Sequence, residues 1–174
     1  MHSGVLSCDG DFCYLSCDDD FEYPVNYAAT MREAVEQWDG RAIVTAHGRT
    51  YRGSPSGWHD VVGGSIGNVH KLVTAGRWIN HGGSGVAAWD TRHVHVPTEW
   101  AHRNMVDAQL AVWAQRARVP IRLVPHPARW LKPLAYLDRN GIFKMSQLEG
   151  HKRRSELIAA HGREHGWTLH ELTS

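Results

Sequence analysis

Apolar positions along this chain follow two rhythms. Residues 12–17 form a short unbroken run of aromatic and small side chains that stops at Asp18, and residues 42–46 (AIVTA) form another, closed by His47, Gly48 and Arg49. Runs this short, with turn residues behind them, read as buried strands. Between them Tyr27, Met31, Val35 and Trp38 recur at helical spacing after Pro24 and Asn26, and Asp39-Gly40 supplies the stop. A second helix carries Val106, Leu110, Trp113 and Ala117 on one face, with Asn104 as its cap and an end before Pro120. Residues 121–124 (IRLV) follow as a strand, and residues 155–165 read as a terminal helix with Lys152, Arg153 and Arg154 at its start.

Two stretches break these rhythms. Residues 50–70, rich in Gly, Ser, Trp and His, read as a loop with at most a short strand. Residues 79–91 (INHGGSGVAAWDT) join a glycine turn to a small-residue strand, a place where backbone passes close to another strand or a ligand. The order strand, acidic turn, helix, strand predicts an α/β fold with Asp18, Asp19 and Asp20 at the C-terminal edge of the first strand. Open α/β sheets bind ligands there. Carboxylates in that place suit Mg²⁺ or Mn²⁺, which take oxygen ligands and neutralise a diphosphate. In a plain turn the same residues serve by bonding their own backbone.

Composition narrows the options. A chain of 174 residues with 42% hydrophobic residues and eight tryptophans is globular and of one-domain size. Lys plus Arg number 19 against 18 for Asp plus Glu, so no basic field favours a long nucleic-acid track. The 13 histidines are scattered, and His93-Val94-His95 reads as one face of a strand. Cys8, Cys13 and Cys17 lack metal-ribbon spacing and suit reduced thiols, with Cys13 and Cys17 packing as small apolar residues. No apolar run approaches the ~20 residues that span a bilayer, and Met1-His2-Ser3-Gly4 does not begin a signal peptide, so a soluble cytoplasmic protein is expected.

Four segments together, YLSCDDDFEYPVNY, AIVTAHGR, GGSGVAAW and NMVDAQLAVWAQ…VPIRLVPHPARWL, resemble bacterial and phage glycosyltransferases of the GT-A type, akin to family 2. The closing GIFKMSQLEGHKRRSELIAA is similar to that family's last segment, so the resemblance covers most of the chain. It implies a GT-A-like α/β domain with a mixed, mainly parallel sheet flanked by helices, residues 145–174 forming a C-terminal helical extension. It also implies transfer of a sugar from a UDP- or GDP-linked donor to an acceptor hydroxyl, with inversion.

By the same resemblance Asp18 and Asp20 are the metal-binding pair, Asp19 the alternative partner, and His126, held between Pro125 and Pro127, a third ligand. Asp107 matches the family's general base, although a carboxylate in the first turn of a helix also favours the helix dipole. Gly83, Ser84 and Gly85 resemble the segment beneath sugar and acceptor, His47 and Arg49 leave a strand edge beside it, and Trp89 is the candidate for stacking on a sugar ring.

In the family, strand–helix units that recognise the nucleotide base precede the acidic motif, whereas 17 residues precede Asp18 here. The expectation is therefore a truncated or minimal domain, with a partner chain supplying the nucleotide-binding half or a homo-oligomer formed across the first strand's open edge. A noncatalytic subunit or pseudoenzyme binding a partner through that edge is the alternative function. A metal-dependent phosphoryl hydrolase using the same acidic edge is a third.

Overall fold

A computed structural model of the chain describes residues 13–62, 71–102, 104–134 and 149–173, with backbone alone for residues 149–151. Phe12, Cys8, Met1 to Gly4, part of the loop (63–70) and the start of the extension (145–148) lie outside the described residues. The elements are β1 (Cys13–Leu15), β2 (Phe21–Glu22), α1 (Tyr27–Glu36), β3 (Ile43–Thr45), β4 (Gly48–Arg49), β5 (Arg77–Ile79), β6 (His81–Gly82), a 3-10 turn (Ser84–Val86), β7 (Ala87–Asp90), α2 (Val106–Ala117), β8 (Ile121–Leu123), β9 (Lys132–Pro133) and α3 (Glu149–His165).

The main sheet has the order β1-β7-β3-β8-β5. Only β3 and β8 pair in parallel; β1–β7, β7–β3 and β8–β5 are antiparallel. The fold is thus α/β with a mixed sheet, but mostly antiparallel, which corrects the expectation of a mainly parallel one. The reason is an insertion. Strand, helix, strand in sequence suggests that β1 and β3 are parallel neighbours, whereas β7 lies between them and runs against both. β1, β3 and β8 nevertheless share a direction, so their C-terminal ends reach one edge of the sheet.

Alternation along β7 divides the core. Val86 and Ala88 face one side, packing with Tyr27, Met31 and Val35 of α1, and Ala87 and Trp89 face the other, packing with Leu110 and Ala114 of α2. A strand covered on both faces has no polar alternation, which is why AAW reads as a plain apolar run. Each aliphatic side chain buried in this way contributes about 1.5–3 kcal/mol.

Helix α2 is covered on two sides. Leu110 and Ala114 meet the sheet, while Ala108, Ala111 and Val112 join Tyr51, Trp58, Ile158 and Trp167 in a further cluster beneath α3. The single stripe expected for α2 is therefore wider, and Ala117 is exposed. Asn104 does not cap the helix: it has a left-handed φ of 58°, the N-cap position belongs to Met105, and no side chain caps it. The described cysteines are exposed rather than packed, Cys13 on β1, which among the described residues is an edge strand, and Cys17 on the irregular backbone that follows it. Among the described residues no helix is long and apolar enough to cross a membrane.

Candidate functional site

The shared direction of β1, β3 and β8 gathers chain ends at one edge. β1 leads to Asp18, β3 to His47 and β8 to His126. The helix that returns to β8 must start at this same edge, and Asp107 lies in its first turn. The turn Ser84–Val86, which opens β7, arrives there too.

That turn holds both carboxylates. The Ser84 backbone N–H and hydroxyl donate to Asp107 Oδ1 at 2.7 and 2.5 Å. One residue on, a Cβ on Gly85 would overlap the Asp18 carboxylate, so glycine is what lets that carboxylate lie over the turn. Backbone bonds fix the pairing: Asp18 N–H donates to Gly85 O at 2.8 Å, extending the β1–β7 ladder, and the Tyr23 hydroxyl donates to Asp18 O at 3.1 Å. Gly83 meets the His47 ring in the same close way, and Thr45 Oγ1 donates to the carbonyls of Gly83 (3.0 Å) and His47 (3.1 Å).

The two carboxylates respond oppositely to these surroundings. Although Asp18 is exposed as a residue, desolvation of its carboxyl over the turn, then the charges of Asp107, Asp20 and Asp19, push it up to about 6. Burial alone would also raise Asp107, but the His47 and His81 rings and the two Ser84 hydrogen bonds outweigh it, and its carboxyl lies below the ordinary range. Asp107 is therefore ionised at neutral pH.

His81, a neighbour of Asp107, belongs to a basic and aromatic cluster. His81 is 2% exposed, between the rings of Tyr51 (5.6 Å) and Trp58 (4.8 Å). Burial, and then the charge of Arg49, lower its pKa, while the charge of Asp107 works the other way. Its Nδ1 is buried without a hydrogen-bond partner among the described residues. The Arg49 guanidinium lies 3.8 Å from the centre of the Trp58 ring and donates to Trp58 O at 3.3 Å. From α3, Arg154 lies 5.5 Å from the same ring and donates to Asn104 O at 2.7 Å, just ahead of α2.

No family model and no curated protein matches the chain.

The structure thus brings together Asp18, Asp107, Ser84, Gly83, Gly85 and His47. Asp19 and Asp20 sit exposed in the turn before β2, close enough for their charges to act on Asp18. His126 reaches the edge but turns away: Nε2 lies 2.8 Å from Ala46 O, Nδ1 lies 2.9 Å from Pro127 O, and the ring stacks on Trp130. Metal coordination by His126 would first have to break one of those contacts. Trp89 is core, 9% exposed and stacked on Tyr14 with ring centres 4.2 Å apart, so it offers no platform for a sugar. His93 and His95 are exposed on irregular backbone after β7 rather than on a strand face.

Sequence reasoning missed His81 as a neighbour of Asp107, and Tyr51 and Arg154 as members of the cluster around His81. His81 precedes the glycine turn directly, and that adjacency was the available signal. It also missed Asn80, whose buried side chain accepts from Tyr51 N and donates to the carbonyls of Tyr51 and Thr168, tying the aromatic loop to the chain's end.

Among the described residues no group of three or more His, Cys, Asp and Glu side chains is arranged to hold a metal ion. The donor set at the turn fits a divalent cation in a narrower sense. Asp18 supplies hard oxygen atoms made uncomfortable by like charge, and Mg²⁺-type ions need only one or two carboxylates when phosphate and water complete the shell.

Proposed function

We propose that the chain is a metal-dependent glycosyltransferase, or the catalytic half of one, moving a sugar from a nucleotide donor to an acceptor hydroxyl with inversion. The observation that carries this reading is the Ser84–Gly85 turn, which holds an ionised Asp107 and an acid-suppressed Asp18 on adjacent residues. Asp18, with Asp20 or Asp19, holds Mn²⁺ or Mg²⁺. Bound there, the ion stabilises negative charge on the departing nucleotide diphosphate. Asp107 accepts the proton of the attacking hydroxyl. Its low pKa keeps it in the basic form, and Ser84 fixes Oδ1.

Calorimetric titration of the full chain with UDP and then GDP, each with and without Mn²⁺, tests the donor half of this reading. Binding of either nucleotide only with Mn²⁺ supports it. Absence of binding for both favours the second reading, a noncatalytic subunit, for which the supporting observation is the free edge of β1: among the described residues its only strand neighbour is β7.

A further inference from the structure

Two guanidinium groups lie over one indole ring, next to His81, whose charge environment they share with Asp107. Arg49 and Arg154 are both half-buried, and neither forms an ion pair with a carboxylate among the described residues. Among the described residues Arg49 donates to Trp58 O and also bonds the Tyr51 hydroxyl, and Arg154 donates to Asn104 O, although each guanidinium carries five N–H donors. Contact with Trp58 restrains both groups, so less of their freedom is lost when an anion binds. Trp58 itself is held from beneath, where its N–H meets Ser155 Oγ at 3.2 Å and its carbonyl accepts from Tyr51 Oη at 3.0 Å.

Along the chain, His81 belongs to this basic cluster, Ser84 holds Asp107, and Gly85 lies under Asp18. Asp107 thus has an acidic neighbour, Asp18, that suits a cation and, through His81, a basic cluster that suits an anion. An acceptor must approach Asp107 with its hydroxyl, and the donor's diphosphate belongs to the cation at Asp18.

We infer that Arg49 and Arg154, stacked on Trp58, form a cradle for a phosphate group carried by the acceptor. This rests on the glycosyltransferase reading for the word acceptor, but the cradle itself does not. Planar guanidinium forks match phosphate oxygens two at a time, and the low-polarity surroundings of Trp58 and His81 strengthen each bond.

The test is titration of the full chain with inorganic phosphate in EDTA, at low salt, by calorimetry. Saturable binding is expected, weakened at least tenfold in Arg49→Gln/Arg154→Gln and less in Arg154→Gln alone, whose side chain leaves the Trp58 packing largely to Arg49. Thermal unfolding of each variant checks that it is folded. A second basic cleft of about 530 Å³, lined by Arg116, Arg118 and His165 among others at the far ends of α2 and α3, provides the control. Loss of phosphate binding in Arg116→Gln/Arg118→Gln, with the Arg49 and Arg154 variants unaffected, overturns the inference, as does the absence of saturable binding.

Titration of the double variant with UDP and Mn²⁺ separates acceptor from donor. Unchanged UDP binding supports the acceptor assignment, and parallel loss of UDP and phosphate binding overturns it. If wild-type chain binds phosphate but not UDP or GDP with Mn²⁺, the cradle stands and the donor-site reading falls.

Discussion

Asp18 and Asp107 lie against consecutive residues of one turn, yet the protein treats them differently. Asp107 receives two hydrogen bonds from Ser84 and has histidines nearby, while the Asp18 carboxyl rests on a bare glycine and, among the described residues, feels the charges of Asp107, Asp20 and Asp19. One is stabilised as an anion, the other is not. A carboxylate intended for proton transfer benefits from a fixed, ionised state before substrate arrives. A carboxylate intended for a cation can be left unsatisfied, because the cation is the missing partner.

If that contrast is functional, the largest effect comes from neutralising the stabilised partner. Asp107→Asn keeps the shape and can still accept at Ser84, but it cannot take a proton. Transfer activity is expected to fall by about 10²- to 10⁴-fold, the range typical of a general base, with Mn²⁺-dependent UDP binding retained. A variant that loses UDP binding in calorimetry would instead put Asp107 on the metal's side of the comparison.

Gly85→Ala attacks the other carboxylate without changing a charge. The new methyl group displaces the Asp18 carboxyl, a short side chain at an exposed position, so the fold survives. Metal affinity is expected to fall by about 10- to 100-fold, as when a supporting partner of a ligand is lost. Near wild-type Mn²⁺ affinity in Gly85→Ala would separate Asp18 from the cation.

How far this contrast was readable beforehand depends on range. The strand that stops at Asp18, helix α1 with its Asp39-Gly40 stop, and the start of α2 near Asp107 are local patterns, and each was found to within a few residues. The insertion of β7 between β1 and β3 is a long-range pairing that no local period encodes. The same gap explains His126 and Trp89. Flanking prolines said that His126 was held rigidly, but not that its ring would turn toward Ala46 O. Small residues around Trp89 said that something lay close, but not that it was Tyr14. Cys13 and Cys17 looked apolar in a run, and only their places, on an edge strand among the described residues and on the irregular backbone after it, made them exposed. The Ser84 bond to Asp107 joins residues 23 apart in sequence, and the glycine-rich spelling of that segment was its only trace.

A smaller effect is expected from Ser84→Ala. The backbone N–H still donates to Asp107 Oδ1, but the hydroxyl is gone, so the Asp107 carboxyl rises toward its ordinary value. The acid limb of the pH–rate profile should move to higher pH, while activity at neutral pH, where Asp107 stays ionised, should change little. Ser84→Thr, which keeps a donor, should reverse most of the shift. An unshifted acid limb in Ser84→Ala would show that the low pKa comes from elsewhere.

The subtlest test concerns stability alone. The folded state raises Asp18 to about 6 from the ordinary 3.8, through desolvation first and then through Asp107, Asp20 and Asp19. Between those two values the folded chain binds more protons than the unfolded chain, so this residue's contribution to stability declines as pH rises through the window. Above about pH 6 the full destabilisation is present, and below pH 3.8 Asp18 is protonated in both states and contributes nothing. Asp18→Asn removes the charge without changing the shape. The variant is therefore expected to melt at a higher temperature than wild type at pH 7 to 8, with the gap closing as pH falls through the window. Adding Mn²⁺ should reverse the order at neutral pH, since the ion stabilises only the chain that keeps its carboxylate. An Asp18→Asn chain that melts lower than wild type in EDTA at pH 7 would mean that the charge on Asp18 is already satisfied within the fold, and the contrast with Asp107 would lose its cation.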